Sequence, residues 1–324
     1  MALRQAQDTT VSTAEPKTTF MDVLRRMSGP LLFMAPAVVL TTIFFFVPVV
    51  ILFRISLTNM STATGLKNYE MIGFENYLNI FRHPSTPANL MTTVKYVVFT
   101  LCFFNVGMAL VTALLSTHVP RRAGFMYRAL WLLPRLTPSV VYIMMWKFIG
   151  ADAPYGILHR HILGPLGVEP SNLITTQPFI FVILTNGFIG ASFGMIVFTS
   201  AIESIPKDYM TAALVDGCTV WQRIRYVILP MISWPLLFVT TYQTLSLLTS
   251  FEQIMLLTDG AGGTEVWALW AYHRALANYW GNFQWGFGSA LAMLLVAIGI
   301  IMSIIYMRFF RFDVLIQEPK IEAL

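Results

Sequence analysis

Apolar residues in this chain fall in long uncharged runs. They show neither the period-two alternation of half-buried strands nor the one-sided stripe of surface helices. Six runs stand out: Leu31–Phe53, Tyr96–Thr117, Ala129–Trp146, Pro178–Ile202, Tyr226–Phe251 and Phe283–Met307. A helix needs about 20 apolar residues to cross a hydrocarbon core of roughly 30 Å. Five of the runs exceed that length without a charge, and the third is interrupted only by Arg135. The pattern predicts an all-α membrane protein with six transmembrane helices. The alternating segments of about ten residues that would build an outer-membrane barrel are absent.

Composition agrees. Of 324 residues, 56% are hydrophobic and 11% charged, with a mean hydropathy of +0.66. A soluble domain carries about 25% charged residues, so a soluble enzyme and a disordered regulator are both excluded. Cys102 and Cys218 are too few for a disulfide framework. The net charge of +5 would suggest nucleic acid in a soluble protein, but in an apolar chain it marks the side of the membrane. With a cytoplasmic amino terminus, the inside segments 1–30, 118–128, 203–225 and 308–324 hold thirteen Lys and Arg. The outside segments 54–95, 147–177 and 252–282 hold seven. The bias puts both termini in the cytoplasm.

The expected organisation is therefore a cytoplasmic segment over 1–30, a six-helix domain over 31–307 and a cytoplasmic tail over 308–324. Within the first segment, residues 1–16 are polar, and Lys17–Ser28 has the apolar positions of a short interfacial helix. No small-residue cleavage site follows the first run, which is expected to be a retained helix.

The absences narrow function. There is no G-x-x-x-x-G-K-[ST] phosphate loop, so ATP is not bound by that route, and no H-E-x-x-H, C-x-x-C or G-x-S-x-G is present. All 16 acidic residues lie outside the six runs, whereas proton or cation coupling usually leaves a carboxylate inside the membrane. His159 and His161 flank Arg160 and could help bind a metal, but a solvated loop is favoured and no metal is expected. The chain looks like a membrane passage without its own engine: it conducts passively, or a partner supplies the energy.

The most informative stretch is Glu203–Pro230. Pro206 suits the first turn of a helix over Asp208–Val215, and Asp216-Gly217 is a turn signal. Thr219 followed by Gln222 is a capping-box pattern opening a second helix, which Pro230 can bend. Met210, Ala213, Leu214 and Trp221 form an apolar stripe on this expected helix–turn–helix, which a cytoplasmic partner could use for docking.

Ala212-Ala213-x-x-Asp216-Gly217, then Trp221-Gln222 and Leu229-Pro230, resembles the EAA loop of ATP-binding-cassette importer permeases. The family's leading Glu falls on Thr211, and Cys218 stands where a small residue is typical. Gly73-Phe74-Glu75-Asn76-Tyr77 is similar to the family's G-x-x-N-Y. Arg128-Ala129-Leu130 through Pro134 and Pro138, Trp146-Lys147-Phe148, and Tyr155-Gly156-Ile157-Leu158 are similar to carbohydrate-type permeases. So is Leu257–Glu265 with the aromatic stretch Trp267–Trp280.

This resemblance, to maltose-type permeases and to permeases of bacterial alginate-oligosaccharide importers, spans nearly the whole chain. It implies a type I importer permease in the bacterial inner membrane. The implied partners are a second homologous permease, two ATPase subunits that carry ATP and Mg, and an extracytoplasmic solute-binding protein. Neither a cofactor nor a catalytic residue belongs to this chain. Thr211, Ala212, Ala213, Asp216, Gly217, Trp221 and Gln222 would be the contact with the ATPase.

The resemblance also places a sugar site midway through the membrane on the fourth and fifth helices. The residues allow this and also allow helix packing. Gln243, Ser246 or Leu247, and Ser250 recur on one stripe. Asn186 and Gly190 are four apart, with Phe193 and Gly194 a turn further, and Gly190-x-x-x-Gly194 is equally a small-xxx-small packing motif. Arg135 is expected to snorkel to the inner interface, or else to favour an acidic sugar in the passage. Trp146, Tyr242 and the aromatics of Trp267–Trp285 are expected as interfacial belt or packing residues. Two other classes remain open: a membrane-embedded glycan transferase using Asp208 and Asp216, and a passive channel.

Overall fold

The computed structural model describes residues 32–309, apart from 153, 168–170 and 278–280. The expected interfacial helix at Lys17–Ser28 and the tail from 310 onward lie outside the described residues. The architecture is all helix and connection; one isolated bridge, Thr58 to Met71, is the only strand-like pairing among the described residues.

The chain divides into two compact units, up to Leu52 and from Phe53. The described part of the first is the body of α1, Leu32–Ser56. Its ladder widens to a π turn at Thr42–Phe46, where the Val47 N–H bonds the Thr42 carbonyl. Pro48 has no N–H to offer one turn back, and a local register slip accommodates the missing donor.

The second unit holds α2 (Glu75–Arg82), α3 (Thr86–His118), α4 (Arg121–Leu136), α5 (Ser139–Gly150) and α6 (Pro178–Glu203). It continues through α7 (Lys207–Val215), α8 (Val220–Met231), α9 (Ser233–Thr249), α10 (Glu252–Leu257), α11 (Trp267–Ala275) and α12 (Trp285–Phe309). Among the described residues α1, α3, α6 and α12 are long and apolar enough to cross a membrane. The pair α8–α9, bent by 71°, makes a fifth if taken as one span. The run expected as the third span, Ala129–Trp146, is two helices instead of one. Thr137 is extended, at φ −81° and ψ 139°, between α4 and α5. The ring of Pro138 disfavours a helical Thr137 and removes a ladder donor. The fifth run is also broken, but beyond Pro230, which stays inside α8. Ile232, at φ −96° and ψ 12°, sits at the corner and is buried.

The second unit is organised around α6. In its most apolar stretch 56% of residues are buried, against 39% for α3 and 11% for α12, although α12 is the more hydrophobic of the three. Side-chain size accounts for the difference. A Cβ on Gly194 would lie 2.6 Å from the Asn105 carbonyl oxygen and 2.8 Å from the Ala109 Cβ. Gly190 faces the Asn105 side chain and Gly187 the Phe104 ring with equally little room. Small residues let two backbones approach in a medium where hydrophobicity does not drive helices together. Ala109, Ala191, Met195, Phe198, Ile228, Ile232 and Val239 then close one core between α3, α6, α8 and α9.

Candidate functional site

The loop after α6 is built by local rules. Pro206, at φ −57° and ψ 135°, opens α7. At its end the Cys218 N–H bonds the Ala213 carbonyl at 3.0 Å and the Gly217 N–H bonds Leu214 at 3.1 Å. With Gly217 at φ +74°, this is a Schellman ending that only glycine enters without strain. Thr219 then caps α8 reciprocally: its N–H donates to Gln222 Oε1 at 2.8 Å, and its hydroxyl accepts from the Gln222 N–H at 3.3 Å.

The expected apolar stripe separates into two faces. Ala213 is 6% exposed, and Met210 packs on the core that holds Ile202 and Ile228. Leu214, Trp221 at 66% and Val215 at 82% exposure point away. Thr211 is exposed and its hydroxyl is spent on the Lys207 carbonyl at 3.0 Å. Asp216 and Gln222 are exposed, as is Ala212. Behind the loop, Arg128 on α4 bridges Glu203 at the end of α6 at 2.6 Å. The two-helix protrusion is thus seated on the core through Met210 and Ala213, beside an α4–α6 ion pair, and presents an exposed apolar tip.

The six pathway candidates fall into two groups. Gln243 is buried, and its amide donates to the Gly190 carbonyl at 2.9 Å across the α6–α9 interface. Asn186 donates to the Tyr96 hydroxyl and, at 3.3 Å, to Ser250; Ser250 in turn donates to Gln253 at 2.9 Å. These polar groups satisfy one another inside the bundle. Phe193 and Ser246 differ: Ser246 is exposed, and Phe193 is half-buried against Tyr242, ring centroids 4.8 Å apart.

Arg135 lies on that same open face. Its guanidinium sits 5.4 Å over the Phe193 ring. Phe193 is ten residues short of the α6 end, about 15 Å along the helix. Arg135 therefore lies alongside the middle of α6. No carboxylate pairs with it among the described residues. Two residues that sequence reasoning passed over complete the face. Trp234 and Phe238 stack at 6.0 Å, 6° from parallel, and Phe238 stacks on Tyr242 at 6.4 Å. The signal was available, since Trp234, Phe238 and Tyr242 are spaced four apart and share one side of a helix.

A third cluster sits between α10 and α11. His273 bonds Glu265 through Nδ1 at 2.9 Å and Asp259 through Nε2 at 3.0 Å. Asn89 on α3 donates to the other Glu265 oxygen at 3.1 Å. The Glu265 hydrogen bond, with the Asp259 bond and both negative charges, raises the imidazole pKa above its ordinary value against the opposing effect of burial. Asp259 holds φ +52° in this turn. Elsewhere His159 is buried and His161 exposed, so the expected solvated pair is half interior. No group of three or more His, Cys, Asp or Glu with the makings of a metal site occurs among the described residues.

Residues 105–312, well over half of the chain, match the family described as binding-protein-dependent transport system inner membrane component. The chain belongs to this family. It is a multi-pass inner-membrane permease, a transport subunit rather than an enzyme. Relatives along nearly its full length include the sulfoquinovosyl glycerol transport system permease SmoG of Agrobacterium fabrum. That protein is 27% identical over 91% of this chain and 94% of its own. The trehalose/maltose permease MalF of Thermococcus litoralis is 26% identical over 87% of this chain and 93% of its own. Among solved structures, a chain of a bacterial ABC transporter involved in the import of the acidic polysaccharide alginate matches with a TM-score of 0.73. At 19% identity it covers 90% of this permease and 99% of itself, which establishes the type I ABC permease fold.

Proposed function

We propose that this permease subunit carries an acidic oligosaccharide through the cytoplasmic membrane. In this reading it works with a second homologous permease, two ABC ATPases that hold ATP and Mg, and an extracytoplasmic solute-binding protein. The observation that carries the substrate class is Arg135. A central arginine costs about 2.5–3.5 kcal/mol on insertion scales, and this one has no carboxylate partner among the described residues. Its guanidinium carbon sits 5.4 Å from the centre of the Phe193 ring, which packs on Tyr242. A guanidinium oriented on a ring presents its donor fork to a carboxylate, while the neighbouring rings take the apolar face of a sugar. The relative named for sulfoquinovosyl glycerol transport supports the same chemistry.

Both termini are cytoplasmic in this reading, from the distribution of Lys and Arg, so the Thr211–Gln222 loop faces the ATPases. Leu214, Val215 and Trp221 enter the ATPase surface, and Thr211 in place of the family's Glu leaves that contact mainly apolar. Closure of the ATPase dimer displaces α7. Because Met210 and Ala213 bind α7 to the inner core, the displacement passes to α6 and α8, and through the 71° corner to α9. The face of Phe193 and Tyr242 then opens alternately to the two sides.

The test is uptake by the reconstituted complex with Arg135→Gln. Import of a uronic-acid oligosaccharide should fall about tenfold, the loss of one charge-assisted hydrogen bond, with import of a neutral oligosaccharide unchanged. Equal rates for the acidic sugar in both proteins would overturn the substrate class.

A further inference from the structure

The open face does not end at Arg135. Trp234 and Phe238 are each 41% exposed and Tyr242 is 47% exposed. They continue the line Arg135–Phe193–Tyr242 down α9 in steps of 4.8, 6.4 and 6.0 Å, the first tilted by 32° and the next two closer to parallel. From Tyr242 to Trp234 is about 12 Å of helix, and Trp234 stands two residues from the Ile232 corner where α9 turns into α8. Packing is handled by an adjacent stripe of the same helix: Val239, Gln243 and Leu247 are buried against the bundle.

We propose that Phe193, Tyr242, Phe238 and Trp234 form a stacking track. It carries a sugar chain from the Arg135 site to the α8–α9 corner, the end of the passage from which it is released. The inference rests on the substrate class argued from Arg135. Ring spacing matches the advance of one pyranose along an extended oligosaccharide, so successive sugars can rest on successive rings. The exposed parts of the rings bind by apolar contact, without fixed hydrogen bonds, which lets a chain slide instead of lodging.

Charge decides against the alternative occupants of this face. Lipid, or an apolar helix of a second permease, would leave an exposed guanidinium in hydrocarbon at the head of the row. A sugar bearing a carboxylate satisfies the cation and the rings together. The track also ends at the corner that receives motion from the coupling loop, so a shift of α8 re-aims its exit.

The experiment uses the complete reconstituted complex and the double variant Trp234→Leu, Phe238→Leu. Leucine keeps apolar bulk for packing or lipid contact but has no ring face. Uptake of uronic-acid pentasaccharide should fall about tenfold, and that of the disaccharide much less. Stimulation of ATP hydrolysis by the liganded binding protein should stay near wild type, so sugar moved per ATP falls. Phe238→Tyr alone should transport normally. Wild-type uptake at all lengths in the double variant would overturn the track, as would a loss of uptake and hydrolysis that is equal at every length. The matching neutral oligosaccharides, run on the wild-type complex, read the substrate class separately. If only neutral sugars are imported, the acidic assignment fails, and the length series with the neutral sugars then decides the track.

Discussion

The loop after α6 and the face around Arg135 and Phe193 are made in opposite ways. Between Pro206 and Gln222 every geometric decision is local: a proline start, a glycine at φ +74°, a reciprocal cap spanning three residues. The face is assembled from α4, α6 and α9, which are remote in sequence. It brings Arg135, Phe193 and Tyr242 together only because small residues seat α6 deeply among its neighbours. A local device tolerates changes in packing and fails through backbone strain. An assembled one tolerates local changes and fails when a helix cannot approach.

That contrast can be broken at its strongest point with Gly194→Val. The new side chain meets the Asn105 backbone and Ala109, so α3 and α6 must separate. Overpacking of this kind costs about 1–3 kcal/mol, and the purified permease should lose several degrees of melting temperature together with uptake. The loop should still form, so binding of the ATPase subunits should survive better than transport. Equal loss of both would show that loop and face are not independent.

Gly217→Val is the reciprocal test. No atom stands within 4 Å of a Cβ there, so the whole effect is conformational, about 1–2 kcal/mol for a non-glycine residue in the left-handed region. Stimulation of ATP hydrolysis by liganded binding protein should drop several-fold, out of proportion to a melting temperature lowered by a few degrees, and Gly217→Asn should retain most of it. A valine variant with normal stimulation would mean that the turn does not position the contact.

The smallest effect is expected at the His273 cluster, which is local on one side and assembled on the other. The imidazole pKa is raised in the folded protein. Protonated His273 therefore contributes stability that is fully present below the ordinary imidazole value of about 6.5, and the contribution is lost as pH rises through the elevated value. Amide exchange in Thr258–Glu265, corrected for its intrinsic pH dependence, should be slower at pH 5.5 than at pH 9. His273→Gln should remove the difference. Unchanged protection across that range would show that the cluster is held by its hydrogen bonds alone.

Much of the fold was legible early because a bilayer imposes one coarse requirement, length without charge, and α1, α3, α6, α12 and the bent α8–α9 pair meet it. The third run misled for a local reason: Pro138 forbids continuation through Thr137, and hydropathy does not register a missing donor. The loop between Pro206 and Gln222 was readable residue by residue, except that Met210 and Ala213 turn inward while Leu214 and Trp221 turn outward. The pathway candidates were less so. Gln243, Asn186 and Ser250 have the chemistry of a sugar site and also the chemistry of buried helix contacts, which is where their hydrogen bonds lie in the structure.

The sequence by itself determined the solvent this chain lives in, the helical class, and the caps and turn between Pro206 and Gln222. Each of those depends on averages over a run or on hydrogen bonds a few residues long. The tertiary structure decided that α6 lies at the centre while the more hydrophobic α12 lies outside. It also decided that Arg135 sits over Phe193, and that Trp234, Phe238 and Tyr242 share a partly exposed face. Helices that are apolar on all sides carry no stripe to say which side is buried. In that setting the choice falls to shape, to where glycine lets two backbones meet, and shape is a property of pairs of helices.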